Sequence, residues 1–160
     1  MINDLFALGM KRYLPSFKDW TGRKVNINIG AGKQLIPSTV NLDLPDYNAN
    51  YDPIPYDDNS VDVIHCYHVL EHVDNPIFFL KECQRVLVIG GLMNICVPHH
   101  RSDLAWQDIT HVRGFTTDTF KTLFENTGYN TGEWRLKEIG TIAIGLVDRN
   151  ISILTQLEKF

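Results

Sequence analysis

The spacing of apolar and polar positions changes several times along the chain, and each change marks an element. Val25-Asn26-Ile27-Asn28-Ile29 alternates apolar and polar side chains with the period of a strand, predicted over 24–29. It stops at Gly30-Ala31-Gly32, and a second short run, Val40-Asn41-Leu42-Asp43, ends in an acid. Only six residues separate Gly32 from Thr39, Pro37 among them. A parallel crossover ordinarily takes a dozen or more, so the first helix is expected to be trimmed to at most about one turn. Residues 45–60 carry Pro45, Pro53 and Pro55 among many Asp and Asn and read as a loop. Val61 to Cys66 is the next expected strand. Asn75 then offers a helix N-cap with Pro76 at the first position. Phe79, Leu80, Cys83, Val86 and Leu87 share one helical face, and Gly90-Gly91 is expected to end that helix.

Leu92 to Val97 reads as a further strand stopped by Pro98, and Thr117 to Thr127 as a helix with Phe120, Leu123 and Phe124 inward and Gly128 as C-cap. Ile142, Ile144 and Leu146, then Ile151, Ile153 and Leu157, alternate on either side of Asp148-Arg149-Asn150, which predicts an antiparallel hairpin. Residues 1–20 predict an amphipathic helix, or a helix plus loop, interrupted at Pro15. Its apolar face holds Leu5, Phe6, Leu8, Met10 and Tyr13, as a cover for the sheet or a lid over a ligand. Strand–helix alternation closing in an antiparallel pair predicts one α/β domain over 1–160.

Composition narrows the class. With 160 residues, 44% hydrophobic, 11% aromatic and 21% charged, the chain can bury roughly 70% of its unfolded surface and is not a disordered composition. No apolar run approaches the roughly 20 residues of a membrane span. The start, Met1-Ile2-Asn3-Asp4, lacks a basic region, so no signal peptide is expected. Cys66, Cys83 and Cys96 form no CxxC pair and read as small buried hydrophobes of a cytoplasmic protein. Net charge is −4 and basic residues are scattered. A nucleic-acid partner would need a basic stripe to neutralise phosphates, so a small or neutral substrate is expected. Oligomeric state stays open, a homodimer being one option.

The chemistry begins where the first strand stops. Gly-x-Gly lets a ligand press against bare backbone because no Cβ blocks it. An acid at the tip of the neighbouring strand can accept hydrogen bonds from a ribose diol. Gly30, Gly32 and Asp43 therefore point to a nucleoside-cofactor pocket at the carboxyl edge of a parallel sheet.

Three blocks in order then resemble the class I S-adenosylmethionine-dependent methyltransferases with a Rossmann-like sheet. The first is Ile27 to Gly32 with Asn41-Leu42-Asp43. The second is Ile54-Pro55-Tyr56-Asp57-Asp58-Asn59-Ser60-Val61-Asp62-Val63-Ile64. The third is His68-Val69-Leu70-Glu71-His72 with Leu80 to Leu87, Gly90-Gly91 and Val97-Pro98. The resemblance covers roughly residues 24–127 and is close to small members of methyltransferase type 11. It implies a mostly parallel sheet with helices on both faces, a C-terminal antiparallel hairpin, and a trimmed first helix and third strand. It implies S-adenosylmethionine as cofactor and methyl transfer to an O or N nucleophile of a small molecule or glycan. By the same resemblance, Asn28, Gly30, Ala31, Gly32, Asp43, Leu44, Asp52, Ile54, Tyr67 and His68 line the cofactor, with Asp43 on the ribose, Asp52 beside the adenine, and Tyr67 and His68 beside the methionine. Asn28 stands where the family usually has an acid, and Gln34 where it has a third Gly.

Rival readings exist. A dinucleotide site wants Gly-x-Gly-x-x-Gly and an acid about 20 residues on; Leu35 and the early Asp43 do not fit. His68, Glu71 and His72 spell the H-x-x-E-H of a zinc hydrolase, which requires a helix beneath both histidines. No metal is expected at the site, because the motif follows a strand directly. A cofactor-binding scaffold without turnover is a third option, motivated by Asn28. Past Pro98, the segment Trp106 to Phe115 lies where substrates reach a cofactor in open α/β sheets. There His111 is the expected base or substrate anchor, with Asp108 orienting it; His99 and His100 are the other candidates.

Overall fold

A computed structural model describes residues 25–33, 35–125, 127–143 and 150–160. The expected helix over 1–20, Gln34, and the stretch 144–149 with most of the predicted hairpin turn lie outside the described residues. The strands are β1 (Asn26–Ile29), β2 (Val40–Leu42), β3 (Val61–Tyr67), β4 (Leu87–Pro98), β5 (Trp134–Ala143) and β6 (Ile151–Lys159). The helices are α1 (Pro76–Val86) and α2 (Thr117–Glu125), with short 3-10 turns at Asp103–Ala105 and Thr127–Tyr129.

The six strands form one sheet in the order β2-β1-β3-β4-β6-β5. The β1–β2, β1–β3 and β3–β4 pairs are parallel, and β4–β6 and β5–β6 are antiparallel. This is the expected mostly parallel sheet closed by a hairpin. No helix or strand stands between β2 and β3, and among the described residues none stands between β1 and β2, so the front of the sheet is trimmed as expected. The chain leaves β1 for β2 on one side and returns to β3 on the other. That reversal opens a crevice outside the carboxyl ends of β1 and β3, the place where open α/β sheets bind ligands.

α1 starts as the sequence predicts, since the Asn75 side chain accepts from the Phe78 amide at 3.1 Å and Pro76 fills the first position. Its end is different. Gly90-Gly91 do not terminate the helix; it stops at Val86, and Leu87 is already extended at φ −65° and ψ 140°. Leu87 is fully buried beside Val61, so the sheet's demand for an apolar side chain there ends the helix early. The last helical carbonyls are taken by loop amides, Asn59 on Arg85 at 3.0 Å and Ser60 on Val86 at 2.8 Å. Val88 to Gly91 then bulge, the register jumping from Val61–Leu87 to Val63–Leu92, and Gly90 absorbs the turn at φ +77°. β4 thus begins five residues before the expected Leu92. The described part of α2 runs to Glu125, and the expected last residue, Thr127, opens the 3-10 turn instead.

One large core joins both helices to one sheet face: Ile27, Ile29, Ile64, Cys66, Met93 and Ile95 meet Phe79, Leu80 and Cys83 of α1 and Phe120 and Phe124 of α2. Among the described residues both α-helices therefore cover the same face. All three cysteines are free and buried, as expected. The opposite face carries a smaller cluster of Tyr67, Cys96, Ile142 and Leu154. It also carries a polar row across the strands, Asn41, Asn28, His65, Asn94 and Gln156, each beside the next in register. Asn28 donates to Asn41 at 2.9 Å and Gln156 to Asn94 at 2.9 Å, while His65 meets the Tyr67 hydroxyl at 3.0 Å. A buried row of this kind is tolerated because its members satisfy one another.

Burial pushes the His65 imidazole down to about 4, so the native ring stays neutral where the unfolded one takes a proton. Its contribution to stability is therefore present above about pH 6.5 and is lost as pH falls toward 4. His65→Gln is expected to flatten the fall in urea-unfolding free energy between pH 7 and pH 4.5 by about 1–2 kcal/mol; an unchanged slope would show that the ring titrates freely.

Candidate active site

The crevice is built from four segments. The first is the turn after β1. Gly30 and Gly32 take positive φ, +66° and +51°. The Gly30 and Ala31 amides both donate to the Leu42 carbonyl, at 2.8 and 3.4 Å. Asp43 completes the turn from the neighbouring strand: its carboxylate accepts from the Gly32 amide at 2.6 Å and the Leu44 amide at 2.9 Å. Gly30, Gly32 and Asp43 are thus one unit, as the spacing predicts, and Ala31 and Leu44 lie on it. Each Asp43 oxygen keeps further acceptor capacity for a hydroxyl pair.

The second segment is the turn after β3, residues 68–74, held by bonds from His72 to Val69 and Val73 to Leu70. It lies directly on the first. A Cβ added at Gly30 would stand 2.3 Å from the Val69 Cγ2, so only glycine lets the two turns touch. His68 sits at φ +57°, and its amide donates to the Cys96 carbonyl at 2.8 Å. Its ring lies between Glu71, 3.1 Å from Nδ1 to Oε1, and the Cys96 sulfur, 3.7 Å from Nε2. Burial opposes a charge there, but the hydrogen bonds to Cys96 and Glu71 outweigh it and lift His68 to about 10.

The third segment, 46–54, is tied to the second by the Asp74 amide on the Asn50 side chain at 2.6 Å. Asp52 accepts from the Asn48 amide at 2.7 Å and so shapes its own loop. The fourth runs from Ser102 to Phe115. Its Val112 amide donates to the Glu71 carbonyl at 2.9 Å, and Arg113 donates to the Val73 and Asp74 carbonyls. His111 meets His72 edge-on, ring centroids 4.5 Å apart. Asp108 does not hold the His111 ring. Its carboxylate accepts from the Thr110 hydroxyl at 2.7 Å and the Thr110 amide at 2.9 Å, which keeps it below the usual carboxylate range. The Thr110 hydroxyl in turn meets His72 Nδ1 at 2.9 Å, whereas His111 Nδ1 faces the Ala105 carbonyl at 3.0 Å. Ala105, the last residue of the 3-10 turn Asp103–Ala105, supplies the carbonyl that takes the ring in place of the Asp108 carboxylate.

Three expected site residues fall elsewhere. Asn28 is buried in the sheet on the polar row. Tyr67 turns its hydroxyl to His65 on that same face. Ile54 is buried in the core, and it borders a shallow groove of about 530 Å³ with Val25, Ser60 and Arg85 at the amino edge of the sheet, away from the crevice. The H-x-x-E-H spacing makes no helix: residues 68–74 are turns, and the histidine beside His72 is His111, not His68.

Sequence reading missed the clamp that positions the loop 54–58. Glu82 accepts from the Ile54 amide at 3.0 Å, and Arg85 donates to the Ile54 and Tyr56 carbonyls at 2.9 Å each, to Asp58 at 2.8 Å and to Glu82. The Arg85 hydrogen bond holds the Glu82 carboxyl below its ordinary range. The signal was available as Glu82-x-x-Arg85, a helical i,i+3 pair inside the third block. The approach of His111 to His72 had no such signal, since the two come from separate loops.

Comparison with known proteins bears on the fold and the domain type. Residues 28–95 match the model of the methyltransferase domain family. Two proteins of Mycobacterium tuberculosis described as probable S-adenosylmethionine-dependent methyltransferases are 31% identical over 85 residues, which is 51% of this chain and 31% of each relative. The chain thus spans about a third of the length of these relatives. Among solved structures, a chain in the complex of the Haloferax volcanii Trm112 methyltransferase activator with its methyltransferase superposes at a TM-score of 0.75 and 14% identity, over 98% of this chain and 90% of that one. An S-adenosylmethionine-dependent methyltransferase of Archaeoglobus fulgidus superposes at 0.67 and 15% identity, over 94% and 91%. At these identities the superpositions show the fold.

The contact of the two turns makes a quantitative expectation. Gly30→Ala should cost at least about 2 kcal/mol in urea unfolding, from backbone strain at positive φ plus overlap with Val69. Val69→Ala in the Gly30→Ala background should recover part of this, with a coupling of about 1 kcal/mol in a double-mutant cycle. Simple additivity of the two costs would mean that the turns do not touch.

Proposed function

We infer, from the match of residues 28–95 to the methyltransferase domain family and the resemblance of the three motif blocks to class I S-adenosylmethionine-dependent methyltransferases, that the chain transfers the methyl group of S-adenosylmethionine to an O or N nucleophile of a small molecule or glycan. The observation that carries this reading is the Gly30–Gly32 turn, with Asp43 folded onto it at the crevice where the sheet reverses. The bound cofactor supplies an electrophilic methyl group on a sulfonium. The protein's work is then to bind, orient and exclude water.

Each segment has a part. Gly30 and Gly32 bring bare backbone against the cofactor's methionine and ribose. Asp43 accepts from the ribose hydroxyls, charge-assisted hydrogen bonds worth about 1.5–3 kcal/mol each. The loop at Asp52, pinned through Asn50 to Asp74, flanks the adenine. The turn at His68 stands beside the methionine. His111 receives the acceptor from the opposite wall as base or anchor; with Nδ1 facing the Ala105 carbonyl, Nε2 is the nitrogen that meets it. Asp108 acts at one remove, through Thr110 and His72.

The net charge of −4 favours a small or neutral acceptor over a polyanion. Among the described residues no helix is long and apolar enough to cross a membrane. Three buried free thiols suit a reducing cytoplasm.

Calorimetric titration tests the reading. The chain is expected to bind one S-adenosylmethionine and one S-adenosylhomocysteine in competition, and Asp43→Ala to weaken both at least about tenfold, the loss of one charge-assisted bond. Absence of binding by either ligand, or an unchanged Asp43→Ala affinity, would refute it.

A further inference from the structure

On the crevice wall, Glu71, His72 and His111 each offer a ligand atom, and these atoms lie within 4.8 Å of one another. We propose that they bind one divalent transition-metal cation of the Zn2+ class. The first support is tautomeric. The Thr110 hydroxyl donates to Asp108, so its oxygen accepts from His72 Nδ1, and the Ala105 carbonyl can only accept from His111 Nδ1. In the neutral tautomer that these partners select, each ring carries its proton on Nδ1 and offers the Nε2 lone pair. Outer partners of this kind, a carboxylate relay on one ring and a backbone carbonyl on the other, are what fix imidazoles as metal ligands.

The second support is Glu71 itself. It is 1% exposed; Oε1 faces His68, while Oε2 is buried with no hydrogen-bond partner among the described residues. A buried carboxylate oxygen without a partner is costly, and a cation would satisfy it. The backbone also serves the cluster, since Val112 donates to the Glu71 carbonyl and so fastens the His111 loop to the Glu71 turn.

Two imidazoles and one carboxylate suit Zn2+ and its first-row neighbours, and three protein ligands leave coordination positions open. Ligand atoms about 2.1 Å from a tetrahedral ion stand roughly 3.4 Å apart, so binding draws the three together by about an ångström. The positions left open would remain for a further ligand. They would take an oxygen donor of the methyl acceptor, which makes His111 an anchor through the ion rather than a base. That role rests on the methyl-transfer reading; the binding of the ion does not.

The test is a Co2+ titration of the full chain without S-adenosylmethionine, followed by visible absorption, with Zn2+ as competitor. One Co2+ per chain, displaced by Zn2+, is expected. His72→Ala and His111→Ala should each weaken binding more than tenfold, and the surface change Thr110→Val by roughly tenfold through loss of the outer hydrogen bond. His99→Ala, in the neighbouring half-buried pair with His100, should bind like the wild type. No saturable Co2+ binding, binding that survives His111→Ala, or a loss confined to His99→Ala would each overturn the proposal. Since no cofactor is present, the outcome is separate from that of the S-adenosylmethionine titration.

Discussion

The contact on which the site depends is the one between two backbone turns, Gly30 against Val69. β1 has four residues and β3 seven; they run parallel in register, Ile29 beside Cys66, so their carboxyl ends stop almost level. Whatever follows each strand must then share one small volume. A glycine at positive φ turns the first chain away without a side chain, and Val69 fills the space a Cβ would have claimed. This places the Asp43-bound turn and the Glu71-bearing turn as the two walls of one crevice. The other loops dock on these walls, 46–54 through Asn50 and Asp74, and 102–115 through Glu71, Val73 and Asp74.

The sheet beneath is held differently on its two faces. One face is an apolar core shared by α1 and α2, built from side chains whose burial drives folding. The other carries the row from Asn41 to Gln156, polar in every strand it crosses. The apolar face fixes which side of each strand is buried, and the paired amides add a register requirement of their own. The row therefore favours one strand register over a neighbouring one, because a shift would leave buried amide groups unpartnered. Asn28 belongs to this row, and that gives its amide a structural use at a position where the family usually has an acid.

The parts of the fold governed by local periodicity were legible in the chain. Alternation marked β1 and β3, the Asn75-Pro76 cap marked the start of α1, and the Gly-x-Gly with Asp43 marked the crevice. What misled was glycine at 90 and 91, which reads locally as a helix stop. The tertiary requirement for a buried Leu87 beside Val61 ended the helix sooner and turned the glycines into a bulge. The site followed the same rule. Residues near in sequence, such as Gly30 to Gly32, could be grouped in advance. The Arg85 clamp over 27–31 positions and the approach of His111 to His72 across 39 depend on how loops dock, which no local pattern encodes. Asp108 was placed beside His111 by sequence proximity, and the hydroxyl of Thr110 redirected it to His72.

The central claim is that the Gly30–Gly32 turn and Asp43 hold a nucleoside cofactor whose reactive end meets the His68–His72 turn. A crystal structure of the chain with S-adenosylhomocysteine tests it most directly. The account predicts the ribose hydroxyls within hydrogen-bond reach of the Asp43 carboxylate, about 2.6–3.0 Å, with the sulfur between the Gly30 turn and His68. Ligand density at the amino-edge groove by Arg85, or a ribose turned away from Asp43, would contradict it.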